Sequence, residues 1–149
     1  MKKYIIIIVT LLFISCTDRE DEKINFNFKI ENNSGHDIII TSYNSASSGQ
    51  EILRTIEINN NSFFIESYSS RASERSYILA DTFRGDSIVV SYNNNERKEI
   101  FTCIDRSNTR IGCDEARNPL NYSSTIPSIN NNLNTIYTFA PSDYDNAND

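Results

Sequence analysis

Residues 24–30 read INFNFKI, with an apolar side chain at every second position and a polar one between. Only extended backbone sorts such a stretch into two faces, because successive side chains of a strand point to opposite sides. Ile24, Phe26, Phe28 and Ile30 therefore predict a half-buried strand that shows Asn25, Asn27 and Lys29 to water. Residues 37–41 form an apolar run that predicts a central strand. Residues 52–58 place Ile52, Ile56 and Ile58 on one face, and residues 62–66 place Phe63 and Ile65 opposite Phe64. Residues 77–80, 87–92, 98–103 and 134–139 complete the set, filled with the β-branched and aromatic side chains that strands favour.

Turn formers separate these segments. Asn-Asn-Asn recurs at 59–61, 93–95 and 130–132. Asn tolerates left-handed backbone, and the first two triplets, each between two strand segments, read as hairpin turns. Ser34-Gly35 and Arg84-Gly85-Asp86 are further turn signals. The helix candidate is the tail, where Ser142 and Asp145 have capping-box spacing. Seven or eight short strands predict an all-β fold, an antiparallel, Ig-like β-sandwich, with a small closed β-barrel as the alternative. Residues 104–133 carry Asn, Ser and Pro with little periodicity and are expected to form irregular loop.

The N-terminus is of another kind. Lys2 and Lys3 precede an apolar run from Tyr4 to Ile14, then Ser15 and Cys16. That layout predicts a secretory signal over residues 1–15, and the run is short of the roughly 20 apolar residues that span a bilayer. Ile14-Ser15-Cys16 resembles the lipobox of bacterial lipoproteins, with Phe13 standing where that family prefers Leu. The resemblance implies that the Cys16 thiol takes a diacylglycerol and that the chain is cut before it. Ordinary cleavage near Ser15, leaving a free thiol, is the other reading. Two or more acyl chains make release from a membrane slow. Residues 16–23 then form the lipidated cysteine and an acidic tether, TDREDEK after Cys16, with no apolar residue to pack. An acidic cluster after the lipidated cysteine resembles the surface-export signal of Bacteroidota lipoproteins; a plain polar spacer is the alternative. Residues 24–149 are expected to form one β domain.

The formal charge of −6 argues against nucleic acid, whose phosphates call for basic patches, and against docking on anionic lipid. Cys103 and Cys113 form an even pair in a chain read as exported, which predicts a disulfide, with two buried free thiols as the alternative.

Catalytic and metal patterns are thin. His36 is the single histidine, in Asn32-Asn33-Ser34-Gly35-His36-Asp37, and no nucleophile-elbow motif accompanies it. An exposed turn histidine is the expected reading. Cys103, Cys113 and one distant histidine do not make a zinc pattern, and the tail from Asp143 to Asp149 fails the EF-hand pattern at Ala147. No catalytic residue, metal or cofactor is expected. Arg84-Gly85-Asp86-Ser87 matches an integrin-binding tripeptide and its follower, and is the candidate binding turn; an ordinary turn is the alternative. Asp86-Ser87-Ile88 also resembles the short O-glycosylation motif of Bacteroidota exported proteins. Among eight tyrosines, Tyr43, Tyr68, Tyr122 and Tyr144 fall in expected loops and are candidates for stacking on a glycan, against the alternative of scattered surface rings.

IENNSGHDIIIT (residues 30–41), RNPLNYSS and YTFAPSDYDNA together resemble small Bacteroidota-type lipoproteins with a lipobox and a β-rich domain. The resemblance implies location and fold class, and brings no activity or catalytic residue. The expectation is an outer-membrane, lipid-anchored, non-enzymatic module displayed at the cell surface that binds a protein or glycan partner. The alternatives are a periplasmic immunity or inhibitor lipoprotein, whose acidic charge would suit a basic toxin, and, further off, a small hydrolase using His36.

Overall fold

The computed structural model describes residues 22–45, 51–74, 76–106, 109–114, 117–122, 125–127 and 131–148. Cys16 and the signal and tether segments before residue 22 lie outside them. The described chain is a β-sandwich. One sheet has the order β4-β1-β10-β9, from Ser62–Arg71 (β4), Lys23–Asn32 (β1), Asn132–Phe139 (β10) and Thr125–Pro127 (β9). The other has the order β3-β2-β5-β6, from Ile52–Ile58 (β3), Ile38–Tyr43 (β2), Ser87–Tyr92 (β5) and Arg97–Thr102 (β6). Neither sheet closes on itself, so the barrel alternative is not formed. A two-stranded ribbon, Ile104–Arg106 (β7) and Thr109–Ile111 (β8), stands apart.

The alternation read from the sequence decides which side chains meet. Phe26, Phe28 and Ile30 of β1 are buried, and so are Ile38 and Ile40 of β2, Ile88, Val90 and Tyr92 of β5, and Tyr137 and Phe139 of β10. These two inner faces form one core. Burying such side chains contributes about 1.5–3 kcal/mol each.

Among the described residues two α-helices, both short, serve the ends of the sandwich. Residues 77–80 were expected as a strand; instead Leu79–Phe83 is a helix (α1). The Asp81 carboxylate accepts from the Ile78 backbone N–H at 2.8 Å and caps its first turn. Leu79 and Phe83, four residues apart on one helical face, are buried in the core. The tail does form a helix, Pro141–Asn146 (α2), but its capping carboxylate is Asp143, which accepts from the Ala140 N–H at 2.7 Å, rather than the expected Ser142–Asp145 pair.

Three further departures have local causes. The Asn59–Asn61 turn carries the chain from one sheet to the other, so it is a crossing and not a hairpin. Asn93, Asn94 and Asn95 do make the β5–β6 hairpin, all three in left-handed backbone. Ile52 faces solvent, 59% exposed, because β3 fits the extra residue Leu53 between the partners of Ser42 and Tyr43, and this bulge turns Ile52 outward. Finally, β1 and β10 pair in parallel, Asn25 with Asn132 through Asn32 with Phe139, within a sandwich expected to be antiparallel throughout.

The segment after β6, expected as irregular loop, is tied down. Cys103 and Cys113 are joined by a disulfide across the ribbon, with Cα atoms 4.3 Å apart. The buried Asn118 amide donates to the Thr102 carbonyl at 3.0 Å and the Gly112 carbonyl at 2.9 Å, and accepts from Leu120 N–H at the start of a 3-10 turn. Asn32 does the same at the opposite end: its amide donates to the His36 and Ile58 carbonyls and accepts from Ser34.

Candidate functional site

β1 enters at one end of the sandwich, and β2, β4 and β6 return to that end. The expected binding turn lies there, and each of its residues has a duty in the fold. Arg84 closes α1 in left-handed backbone at φ 62°. Gly85 passes so near β2 that a Cβ would sit 2.3 Å from the Tyr43 carbonyl oxygen. The Asp86 carboxylate accepts from the Ser45 N–H at 2.7 Å and the Ser45 hydroxyl at 2.6 Å, while its backbone N–H donates to Tyr43 and its carbonyl accepts from Cys103. Arg84 stays largely exposed, with a Glu66 carboxylate oxygen at 3.9 Å.

The remaining sequence candidates do not converge on one surface. His36 stacks on Tyr144 at 3.7 Å between ring centroids, and the Arg97 guanidinium lies 4.7 Å from the same Tyr144 ring at the far end of the sandwich. Tyr68 points inward and stacks on Tyr77 at 4.6 Å. Tyr122 packs edge-on against Tyr137 at 5.1 Å. Tyr43 ends β2. Asp143, from the acidic tail, is buried against Arg117, whose guanidinium it holds charged above the ordinary range. A cleft of about 270 Å³ lined by Phe26, Tyr77, Leu79, Tyr122 and Leu133 falls below the roughly 300–1,000 Å³ of ligand pockets.

The most organised exposed surface is the outer face of the first sheet, which takes the polar half of the INFNFKI alternation. Strand register sets its rows. Ser69, Asn25 and Asn132 lie side by side; Ser67, Asn27 and Asn134 form the next row; Ile65, Lys29 and Ile136 the third; Phe63, Glu31 and Thr138 the fourth. The Asn25 amide donates to Asn132 Oδ1 at 3.0 Å and the Asn27 amide to Asn134 Oδ1 at 3.0 Å, with the Ser67 hydroxyl on Asn27 Oδ1 at 2.8 Å. Lys29 pairs with Glu31 at 2.7 Å and lies 4.5 Å from the centre of the Phe63 ring. The bond from Lys29, and a second from Thr138, hold the Glu31 carboxyl below its ordinary pKa. Phe63 and Ile65 are more than half exposed and Ile136 is 37% exposed, so three of the large exposed apolar side chains share this face.

Chemically this is a flat platform. Each primary amide has two N–H donors and a two-lone-pair acceptor, so the cross-strand bonds of Asn25 and Asn27 leave further capacity facing outward, beside an aromatic ring. Sequence alternation exposes these residue types but not their rows, because the β1–β10 register joins residues 107 apart in the chain. Comparison with protein-family models, with curated proteins and with solved structures finds no match.

Proposed function

We propose that the chain is a lipoprotein held in the outer membrane through Cys16, displayed at the cell surface, and that it binds a partner without catalysis through the outer face of its first sheet. The reading of the partner as a glycan rests on one observation, the two rows of paired Asn side chains beside exposed Phe63. Hydroxyl-rich polymers are bound by amide donors and acceptors with an aromatic ring beneath a sugar ring, and a flat sheet suits an extended chain. Cys16 precedes β1 by residues 17–22, a tether of about 25 Å at full extension. That tether joins the sandwich at its entry end, so the disulfide ribbon and Arg84-Gly85-Asp86 lie on the membrane side and the sheet face stands clear alongside. The His36 ring is engaged in packing on Tyr144, which supports binding over hydrolysis.

Two measurements test this. Protease applied to intact cells should cut the domain, and Cys16→Ser should release it from the membrane fraction; protection until the outer membrane is broken would sink surface display. On polysaccharide-containing gels the full chain should be retarded, and Asn27→Ala with Asn134→Ala should abolish the retardation while leaving the circular dichroism unchanged. Equal mobility of the two proteins on every polysaccharide tried counts against the glycan reading.

A further inference from the structure

An edge strand presents a row of unpaired N–H and C=O groups, and folded proteins protect such rows with short strands, prolines, charges, bulges or a covering segment. Three of the four sheet edges here carry such protection. β9 is three residues long and ends in Pro127. β6 carries Lys98, whose backbone N–H and C=O are both taken by Asn148. β3 carries Arg54, Glu57 and the Leu53 bulge.

The fourth edge is bare among the described residues from Phe63 to Ser69, beyond which the Arg71 N–H donates to the Glu74 carboxylate at 3.1 Å. β4 runs for ten residues, SFFIESYSSR, against a usual five or six, with neither proline nor lysine. Its one acidic side chain, Glu66, turns inward to an ion pair with Arg54. The Ala72 N–H donates to the Glu22 carbonyl, and the Asn25 N–H to Asn131 on the other side of β1. That parity gives the even-numbered residues of β4 to β1 and leaves the backbone groups of Phe63, Ile65, Ser67 and Ser69 facing away from the sheet. Phe63 and Ile65 are also the exposed apolar side chains of this strand, at 55% and 53%.

The geometry points to β4 as a pairing edge whose occupant is β4 of a second copy of this chain, the two strands running antiparallel about a two-fold axis at Ile65. Charge selects the occupant. The whole chain carries −6, so two copies repel over most of their surfaces, whereas β4 holds one Glu and one Arg and is balanced. The register follows from the side chains. An axis at Ile65 sets Ile65 opposite Ile65, Phe63 opposite Ser67 and Phe64 opposite Glu66, with no like charges facing. An axis one step along, at Glu66, would set two carboxylates against each other, which is destabilising. The contact is isologous and closes on itself, giving a dimer with one continuous sheet and no onward polymer. It does not rest on the glycan reading, since the Asn rows remain exposed in the paired sheet.

The full chain, purified in detergent, is examined by light scattering and sedimentation at micromolar concentration. A dimer is expected. Ser67→Pro removes an N–H that β1 does not use, and Ile65→Lys places a charge at the axis; each should weaken the dimer at least tenfold with the β-sheet circular dichroism retained. Ile65→Cys should form a disulfide-linked dimer under mild oxidation, because facing residues of a hydrogen-bonded pair lie about 5.5 Å apart at Cα, within disulfide reach. Ser69→Cys, opposite Asn61 in this register, should not. A monomer at all concentrations overturns the proposal. So does a dimer indifferent to both Ile65→Lys and Ser67→Pro, equal cross-linking at 65 and 69, or cross-linking of Ile65→Cys to a different protein alone.

Discussion

Arg117 grips Asp143 with two parallel hydrogen bonds, Nε to Oδ1 at 2.7 Å and Nη2 to Oδ2 at 2.6 Å, and so ties the segment that follows the disulfide to the C-terminal helix. The same guanidinium donates to the Thr138 carbonyl, and the same carboxylate caps α2. Asp143 is buried while Arg117 is half exposed. Asp143→Ala therefore removes a charge-assisted pair and a helix cap together. The expected loss is about 2–3 kcal/mol, read from the urea midpoint. Arg117→Lys should recover little of a parallel-bond geometry that an ammonium cannot reproduce.

The Cys103–Cys113 bond joins residues ten apart in the chain and closes their loop onto the end of β6. Cys103→Ser with Cys113→Ser should lower stability by about 3 kcal/mol. Reductant should lower the melting temperature of the natural chain and leave that of the double variant unchanged.

Gly85 is where β5 is approached, and a methyl group there would collide with the Tyr43 carbonyl. Gly85→Ala should cost about 1–3 kcal/mol through overpacking. Arg84→Ala, which changes only an exposed side chain, should cost far less. If Gly85→Ala is neutral in thermal denaturation, the turn is not built as described.

Glu31 contributes a pH dependence of known sign. Its folded pKa lies below its ordinary value because Lys29 and Thr138 donate to it. Its contribution is therefore present above the unfolded pKa, near 4.5, and is lost as pH falls through the lower folded value. The pair is partly exposed, so its size is about 0.5 kcal/mol. Glu31→Gln should destabilise the chain by that amount at pH 7, and the two chains should converge as the pH falls below the folded pKa of Glu31.

How far the sequence could be read depended on the range of the interaction. The Phe26–Ile30 alternation predicts both the strand and its buried face, and β5 runs over the residues expected. Residues 77–80 misled because four apolar side chains are too few to tell a strand from a helix; the deciding group, Asp81, acts through a cap. Alternation places Ile52 on the face of Ile56 and Ile58 because it assumes an unbroken ladder, and the Leu53 bulge has no side-chain signature. Residues 104–133 looked irregular, although Asn118-Pro119 at the head of the 3-10 turn is a start signal that could have been used. The Asn rows were half legible. Asn25 and Asn27 were expected outside, but their partners Asn132 and Asn134 come from the last strand, and no local pattern announces a pairing across the whole chain.

That pairing has a kinetic consequence. Of the described strands β1 is the first made, and it lies between β4 and β10, so one of its two sides stays open until β10 is available. Contacts between segments so far apart close slowly, because most of the chain's freedom is lost before they form. A chain emerging N-terminus first from a ribosome or a translocation pore therefore cannot complete this domain early. It waits, with Phe26 and Phe28 lacking their neighbours Leu133 and Thr135, until β10 arrives, and folding becomes a test that this strand has been delivered.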